Sequence, residues 1–97
     1  MSRELLVRVA DLRVGVADDV LITQGLGSCV AILLYDAEAR IGGMAHVLLP
    51  SPALSRIDAN PAKFPQSAIP RLLELMAADG AQQTRISARL AGGASMI

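Results

Sequence analysis

The chain has 97 residues, of which 53% are hydrophobic and 19% charged, and these values predict one small globular domain. Its 9 basic and 9 acidic residues give a net charge of zero, which argues against the basic surface that nucleic-acid binding requires. No apolar run reaches the roughly 20 residues of a transmembrane helix, and a single cysteine cannot form an internal disulfide, so we expect a cytoplasmic protein without membrane insertion.

Six short β-type runs and one helical segment follow one another along the chain. The predicted strands cover residues 5–9, 12–16, 20–23, 28–35, 41–48 and 85–90. A glycine-flanked corner, Gly25-Leu26-Gly27-Ser28, leads into the fourth strand, and a proline-rich loop over residues 49–64 follows the fifth. We expect this loop to overhang the residues around His46, because it begins just after them.

One amphipathic helix is predicted between the loop and the last strand. Its apolar face has the spacing of a helix and consists of Ile69, Leu72, Leu73 and Met76. Proline inside a helix removes a backbone hydrogen bond, so we expect the regular helix to start, or to kink, at about Ile69 or Pro70. Gly80 is placed to end the helix.

The fourth and fifth predicted strands form a hairpin around the polar turn Asp36-Ala37-Glu38-Ala39. One face of this hairpin is mixed and begins with Cys29. The other face is uniformly apolar and consists of Val30, Ile32, Leu34, Ile41, Ala45 and Val47. Strands that are buried on both faces belong to a sheet with layers above and below it. We therefore expect a layered fold.

The same hairpin brings the only cysteine and the only histidine together. With the turn centred between Ala37 and Glu38, Cys29 lies directly opposite His46. The Cβ atoms of such a pair are about 4.5–5.5 Å apart, close enough for the imidazole to take the thiol proton. Each residue alone is more often structural, but their shared register favours a Cys–His dyad with a thiolate nucleophile.

Thr23 and the glycine corner supply candidate accessory groups. A hydroxyl at Thr23 would hold the tautomer of His46, although threonine is common in strands for other reasons. Glycine lets the chain bend so that backbone amides around Gly27, Ser28 and Cys29 point at a developing oxyanion. One Cys and one His do not make a metal site, and the corner lacks the third glycine of a dinucleotide motif. We therefore expect no metal and no cofactor.

Three segments of the chain resemble the CheD family of chemoreceptor glutamine deamidases. They are residues 25–31, 42–50 and 91–96, which read GLGSCVA, GGMAHVLLP and AGGASM. The resemblance implies that Cys29 and His46 are the catalytic cysteine and histidine and that Thr23 is the third catalytic residue. It also implies an α/β sandwich of mixed, mainly antiparallel β-sheet flanked by helices. Family members usually continue beyond the last segment, so residues 1–97 are expected to be one CheD-like domain that is incomplete at its carboxyl end.

The resemblance further implies an enzyme that converts glutamine side chains of methyl-accepting chemoreceptors to glutamate with release of ammonia. A CheC-type phosphatase is the second expected partner. The same catalytic groups would also hydrolyse a glutamyl methyl ester. Two alternatives stay open, namely a non-catalytic module that binds such a phosphatase or a receptor, and a cysteine amidase that acts on a small amide.

Overall fold

The computed structural model describes residues 3–27, 29–48 and 60–92. These residues form six strands and one α-helix, in the chain order that the sequence predicts. The elements are β1 (Glu4–Leu6), β2 (Asp11–Val16), β3 (Val20–Ile22), β4 (Val30–Asp36), β5 (Ile41–Val47), α1 (Pro65–Ala78) and β6 (Ile86–Gly92). A short 3-10 helix, Gln83–Arg85, precedes β6.

The strands form two sheets. Four of them make an antiparallel sheet in the order β2-β5-β4-β6, so the predicted hairpin of β4 and β5 lies at its centre. The other two, β1 and β3, pair in parallel as a separate two-stranded sheet. The fold is thus mixed α/β with mainly antiparallel strands, which confirms the expected fold class.

Helix α1 covers the uniformly apolar face of the hairpin. The buried residues that form this core are Ile32, Leu34, Ile41, Ala45, Val47, Ala68, Leu72, Met76 and Ala81. Gly43 lies at the closest approach of sheet and helix, because a Cβ atom there would be 3.0 Å from both Leu72 Cδ2 and Met76 Sδ. The absence of a side chain at Gly43 therefore lets α1 lie directly on β5.

The two-stranded sheet lies over the opposite face of β2 and β5. Leu21 of β3 reaches across to glycines on both strands, since a Cβ at Gly15 or Gly42 would be 3.5 Å and 3.8 Å from its side chain. His46 and Met44 point toward the same face and are buried. The central sheet therefore has one layer on each side, and the prediction of a layered fold is confirmed.

Helix α1 begins earlier than predicted, at Pro65. Phe64 is its extended N-cap residue, and Pro65 occupies the first helical position, where a missing N–H costs nothing. Pro70 lies inside the helix and does not start it. Ala68 takes the place on the buried face that the sequence pattern assigns to Ile69, whose side chain is 36% exposed.

Gly80 ends the helix as predicted. Its φ is +112°, in the left-handed region that favours glycine. The Gly80 N–H donates to the Ala77 carbonyl, and the Ala81 N–H donates to the Met76 carbonyl, each over 3.0 Å. These two bonds are those of a Schellman motif, which satisfies carbonyls that would otherwise lack partners.

A buried ion pair joins the end of the hairpin to the segment before β6. The Asp36 side chain is fully buried and accepts hydrogen bonds from Arg85 Nε and Nη2 over 2.9 to 3.1 Å. It also accepts from the Gln82 N–H over 2.9 Å. The Arg85 guanidinium is the main reason why the pKa of Asp36 is held well below its usual range.

The loop after β5 is described only from Asn60 onward, so the prediction that it overhangs His46 lies largely outside the described residues. Its described end runs beside β5, because the Leu48 N–H donates to the Lys63 carbonyl over 2.8 Å. Asn60 Nδ2 also donates to the Ala10 carbonyl over 3.0 Å. None of the helices formed by the described residues is long and apolar enough to cross a membrane.

Candidate active site

The three predicted catalytic residues come from three different elements. Thr23 directly follows β3, Cys29 directly precedes β4, and His46 lies near the end of β5. The structure places Thr23 Oγ1 2.9 Å from His46 Nδ1, within hydrogen-bond distance. Thr23 and His46 are therefore in direct contact, as the predicted role of Thr23 in holding the His46 tautomer requires.

The backbone carbonyl of Val7 determines which way the hydrogen of this contact points. The Thr23 hydroxyl donates to that carbonyl over 2.6 Å. A threonine hydroxyl has only one hydrogen, so toward His46 it can only accept. His46 Nδ1 must then carry a proton and donate it to Thr23. In the neutral ring this leaves Nε2 unprotonated, with a free lone pair.

The second ring nitrogen of His46 has no hydrogen-bond partner among the described residues. His46 is fully buried, and its Nε2 atom forms no hydrogen bond to any of the described residues. Buried polar atoms without partners are rare, and in native proteins they often mark a functional position. Nε2 is also the atom that the Thr23 contact leaves unprotonated, so it is available to accept a proton.

Cys29 does not lie directly opposite His46, and that prediction of register is wrong. Ala31 is the residue opposite His46, because the strands pair two residues further along than predicted. Asp36 belongs to β4 and accepts hydrogen bonds from the Glu38 and Ala39 amides. The turn is therefore residues 37–40, closed by a left-handed Arg40 with φ of +56°, in place of residues 36–39.

A shift of two residues keeps each side chain on its predicted face of the sheet. Cys29 precedes Ala31 by two positions and lies just outside the strand, at the His46 end of the sheet. Its thiol is free and its side chain half-buried. No hydrogen bond joins Cys29 Sγ to the His46 ring in this structure, since Nε2 has no partner. The thiol and the imidazole thus belong to the same end of the sheet, without a hydrogen bond between them.

A tight turn presents Cys29 to the site. The Cys29 N–H donates to the Leu26 carbonyl over 2.6 Å, which closes the turn. Gly25 and Gly27 have φ values of +66° and +49°, so the corner uses conformations that glycine adopts without strain. The Cys29 amide was expected to be free to bind an oxyanion. It instead donates its hydrogen within the turn, so it is not a free donor. Ser28 lies outside the described residues, and the role of Gly27 as a backbone donor stays a prediction.

One group of the candidate site was missed by the sequence argument. The Val7 carbonyl follows β1 and is held in place because the Val7 N–H donates to the Ile22 carbonyl over 2.8 Å. A backbone carbonyl leaves no signal in the sequence, so only the structure reveals its contact with Thr23. Among the described residues, no group of three or more His, Cys, Asp or Glu side chains could hold a metal ion.

Comparisons of the sequence with known proteins show what the chain is similar to. A model of the family described as CheD, CheD chemotactic sensory transduction, matches residues 48–97. A "probable chemoreceptor glutamine deamidase CheD" of Clostridium novyi (strain NT) is 47% identical over 94 residues, which are 97% of this chain and 58% of that protein. A protein of the same name from Clostridium botulinum (strain Hall) is 46% identical over 95 residues, 98% of this chain and 59% of its own length.

The family match itself begins after the three candidate residues, but the similarity to the two relatives covers nearly the whole chain and so includes them. The chain spans somewhat more than half the length of these relatives. Both the family match, which covers half of the chain, and the identity to the relatives point to the same family. The chain belongs to the CheD family.

Proposed function

We propose that this chain carries the catalytic centre of a cysteine-dependent deamidase that converts glutamine side chains of chemoreceptors to glutamate. The two relatives are named as probable chemoreceptor glutamine deamidases. The observation that carries the proposal is the chain of contacts from Val7 through Thr23 to His46. It leaves an unprotonated, unpartnered imidazole nitrogen beside the segment that carries the only cysteine.

The reaction begins with proton transfer. His46 Nε2 takes the proton of the Cys29 thiol, and the resulting thiolate attacks the carbonyl carbon of the glutamine side chain. The imidazolium that forms donates its two protons to Thr23 Oγ1 and to the leaving group. Thr23 therefore stabilises the charged ring while keeping it in one orientation.

The second half of the reaction releases both products. The protonated His46 gives its Nε2 proton to the departing nitrogen, which leaves as ammonia, and a thioester remains on Cys29. His46 then takes a proton from water, and the hydroxide attacks the thioester carbon, so that the C–S bond breaks and glutamate is released. The imidazolium returns its proton to the departing thiolate, which restores the free thiol. One water is consumed for each glutamine, and no cofactor enters the balance.

Proton transfer needs the Cys29 thiol within about 3–3.5 Å of the imidazole. No hydrogen bond joins the two groups in the structure, so we propose that the turn carrying Cys29 adjusts to bring them together. We propose that the backbone amides of Gly27 and Ser28 then hold the oxyanion. The Cys29 amide is occupied by the Leu26 carbonyl and is left out of this set.

Partners and location follow from the same proposal. Methyl-accepting chemoreceptors are the proposed substrates, and a CheC-type phosphatase is the proposed regulatory partner. A free catalytic thiol suits a reducing compartment, so we propose that the protein works in the cytoplasm. Its zero net charge gives no support to a role in nucleic-acid binding.

The direct test measures deamidation of a receptor fragment. Purified chain is mixed with a chemoreceptor cytoplasmic fragment, and conversion of glutamine to glutamate is followed by peptide mass spectrometry and by ammonia release. We expect conversion by the parent chain and none by Cys29→Ser, with Ser87→Ala on the exposed strand β6 as a control that keeps activity. Equal conversion by parent and Cys29→Ser would contradict a cysteine nucleophile.

One observation favours a non-catalytic alternative, namely that no hydrogen bond joins the thiol to the imidazole. In that case the chain would only bind a phosphatase or a receptor. A folded parent chain that binds the receptor fragment but releases no ammonia would support this alternative. Ammonia release from free glutamine as fast as from the fragment would instead indicate a small-amide amidase.

A further inference from the structure

Gly92, the last residue of β6, lies against the backbone of Cys29. A Cβ atom placed on Gly92 would be 2.6 Å from the Cys29 carbonyl oxygen. It would also be 3.1 Å from Leu26 Cβ and 3.1 Å from Leu26 Cδ1. Any side chain at position 92 must therefore push on the turn that presents the cysteine.

The contact is with backbone and not with the end of a flexible side chain. A side-chain tip can rotate away, whereas the Cys29 carbonyl moves only if the turn itself moves. That turn is closed by the bond from the Cys29 N–H to the Leu26 carbonyl, so the two residues that Gly92 approaches are already joined. A displacement at position 92 would thus move the turn as a unit.

The register of the sheet shows why Gly92 lies there. Gly92 pairs with Val30, the residue that follows Cys29, at the end of the antiparallel ladder between β4 and β6. Its φ is +94°, which side chains rarely adopt, so glycine is favoured on conformational as well as on steric grounds.

We propose that Gly92 is a positioning residue for Cys29, an inference that rests on the proposed function. Because it lacks a side chain, Gly92 lets the Cys29 carbonyl sit directly on the end of β6. This contact sets where the thiol starts in its approach to His46 Nε2. Gly92 touches neither substrate nor thiol, and it acts only through the backbone of the turn.

Gly80 provides a matched control elsewhere in the fold. Its φ of +112° is also in the left-handed region, but a Cβ there would meet only Ile41 Cδ1, at 3.9 Å. Substitution of Gly80 therefore brings a similar backbone strain without a steric conflict near the site. Comparing the two positions separates displacement of the cysteine turn from a general loss of stability.

The test compares Gly92→Ala and Gly92→Asn with Gly80→Ala and Gly80→Asn. Asparagine tolerates positive φ better than alanine does, so Gly92→Asn keeps the steric conflict with less backbone strain. For each folded variant, the alkylation rate of Cys29 by iodoacetamide is measured across pH, and the Cys29 and Val30 amide signals are compared by NMR. Circular dichroism and thermal unfolding establish that the variants are folded.

Both Gly92 variants are expected to alkylate at least about tenfold more slowly than the parent near neutral pH, since misplacement of reacting groups by about 1 Å is costly. Their Cys29 and Val30 amide signals shift, while both Gly80 variants keep the parent rate and the parent signals near the site. Alkylation of Gly92→Asn at the parent rate across the whole pH range would overturn the proposal. Loss of folding in both Gly92 variants with the Gly80 variants folded would also overturn it, because the contact would then support the fold.

Failure of this inference can be told apart from failure of the proposed function. If the parent chain alkylates fast in a way that depends on His46, and the Gly92 variants alkylate at the same rate, only the proposed role of Gly92 is contradicted. A parent chain whose thiol reacts no faster than free cysteine and which releases no ammonia removes the proposed function, and the positioning role with it.

Discussion

The Thr23 hydroxyl has a single hydrogen, and two atoms that can accept it lie within hydrogen-bond distance, the Val7 carbonyl oxygen and His46 Nδ1. The Val7 carbonyl can only accept, whereas His46 Nδ1 can donate or accept according to its tautomer. The hydrogen therefore goes to Val7, and the imidazole must supply its own. In this way the backbone carbonyl of Val7, acting through Thr23, fixes which ring nitrogen of His46, the proposed general base, carries the proton.

Replacing Thr23 by valine tests this arrangement. Thr23→Val keeps the shape of the side chain but leaves the Val7 carbonyl and His46 Nδ1 without their common partner. We expect deamidation to fall by at least about tenfold because the ring loses its preferred tautomer and orientation. Thr23→Ser keeps the hydroxyl and is expected to retain most of the activity. Equal activity of Thr23→Val and the parent would show that the contact is only structural.

Asp36 predicts how stability depends on pH. Its folded-state pKa lies below the ordinary value of 3.8, chiefly because of Arg85, so the pair stabilises the fold fully above that value. The contribution is lost as the pH falls below about 4 toward the folded-state pKa. Asp36→Asn should therefore be less stable than the parent at pH 7 and should lose less stability on acidification. Chemical unfolding followed at several pH values measures both effects.

Asp18→Asn is the control for this measurement. Asp18 pairs with Arg40 on the surface, where both side chains are more than half exposed, and such pairs contribute little. Asp19, whose pKa is lowered to about 2 by Arg3, titrates in the same range, so Asp36→Asn keeps part of the acid dependence. A parent-like pH profile for Asp36→Asn would contradict the role given to the buried pair.

The residues of the site differ in how far the sequence could predict them. Cys29 and His46 are the only residues of their kinds, so uniqueness alone drew attention to both. Thr23 gained its interest from the family resemblance, because threonine in a strand has no distinctive pattern. The contributions of Val7 and Gly92 could not be predicted, since both act through backbone atoms that approach one another only in the folded chain.

At the scale of whole elements, the packing of α1 on the central sheet depends on Gly43. An added Cβ would approach Leu72 and Met76 to 3.0 Å, closer than ordinary contact. We expect Gly43→Ala to lower the free energy of unfolding by about 1–3 kcal/mol, because the fully buried tips of Leu72 and Met76 must move within a filled core. Urea unfolding of the purified variant measures the change.

The neighbouring glycine is a matched control for this prediction. Gly42 faces the other side of the sheet, where a Cβ would meet Tyr35 Cδ1 at 3.4 Å and Leu21 Cδ1 at 3.8 Å, both ordinary contacts. Gly42→Ala is expected to cost clearly less than Gly43→Ala. If the two substitutions had equal effects, the close approach of α1 at Gly43 would not be the cause.

Strand and helix patterns predicted the order of the elements correctly but not their ends. The hairpin register was wrong by two residues because the Asp36 side chain binds the amides of its own turn, a choice that alternation of residue types does not reveal. The helix start was wrong because Pro70 was given more weight than Pro65, which occupies the first helical position. Alternation did predict the buried faces, because a shift of two leaves them unchanged.

At the scale of the whole molecule, the layers explain how residues far apart in the sequence form one site. Strands β1 and β3, which Val7 and Thr23 directly follow, lie above the central sheet, while β5 with His46 lies within it. The hydrogen bonds from Val7 to Thr23 and from Thr23 to His46 therefore join the two sheets at the site. The layered α/β fold, with a layer on each face of the hairpin, thus also explains how Val7 and Thr23 come to lie beside His46, the proposed base.

Strand β6 forms one edge of the central sheet and is exposed along most of its length. Leu90 is 73% exposed even though it is a large apolar residue. This agrees with the high hydrophobic content of the sequence, since the described layers do not bury all of it. The expectation that residues 1–97 are one domain that continues beyond them stays a prediction.

The central claim is that His46 activates Cys29 as a nucleophile, and the rate of Cys29 alkylation by iodoacetamide against pH tests it most directly. The account predicts that the parent thiol reacts faster than free cysteine at neutral pH and that His46→Gln, shown to be folded by circular dichroism, loses this advantage. A parent thiol that reacts at the rate of free cysteine, or one whose rate is unchanged in His46→Gln, would contradict it.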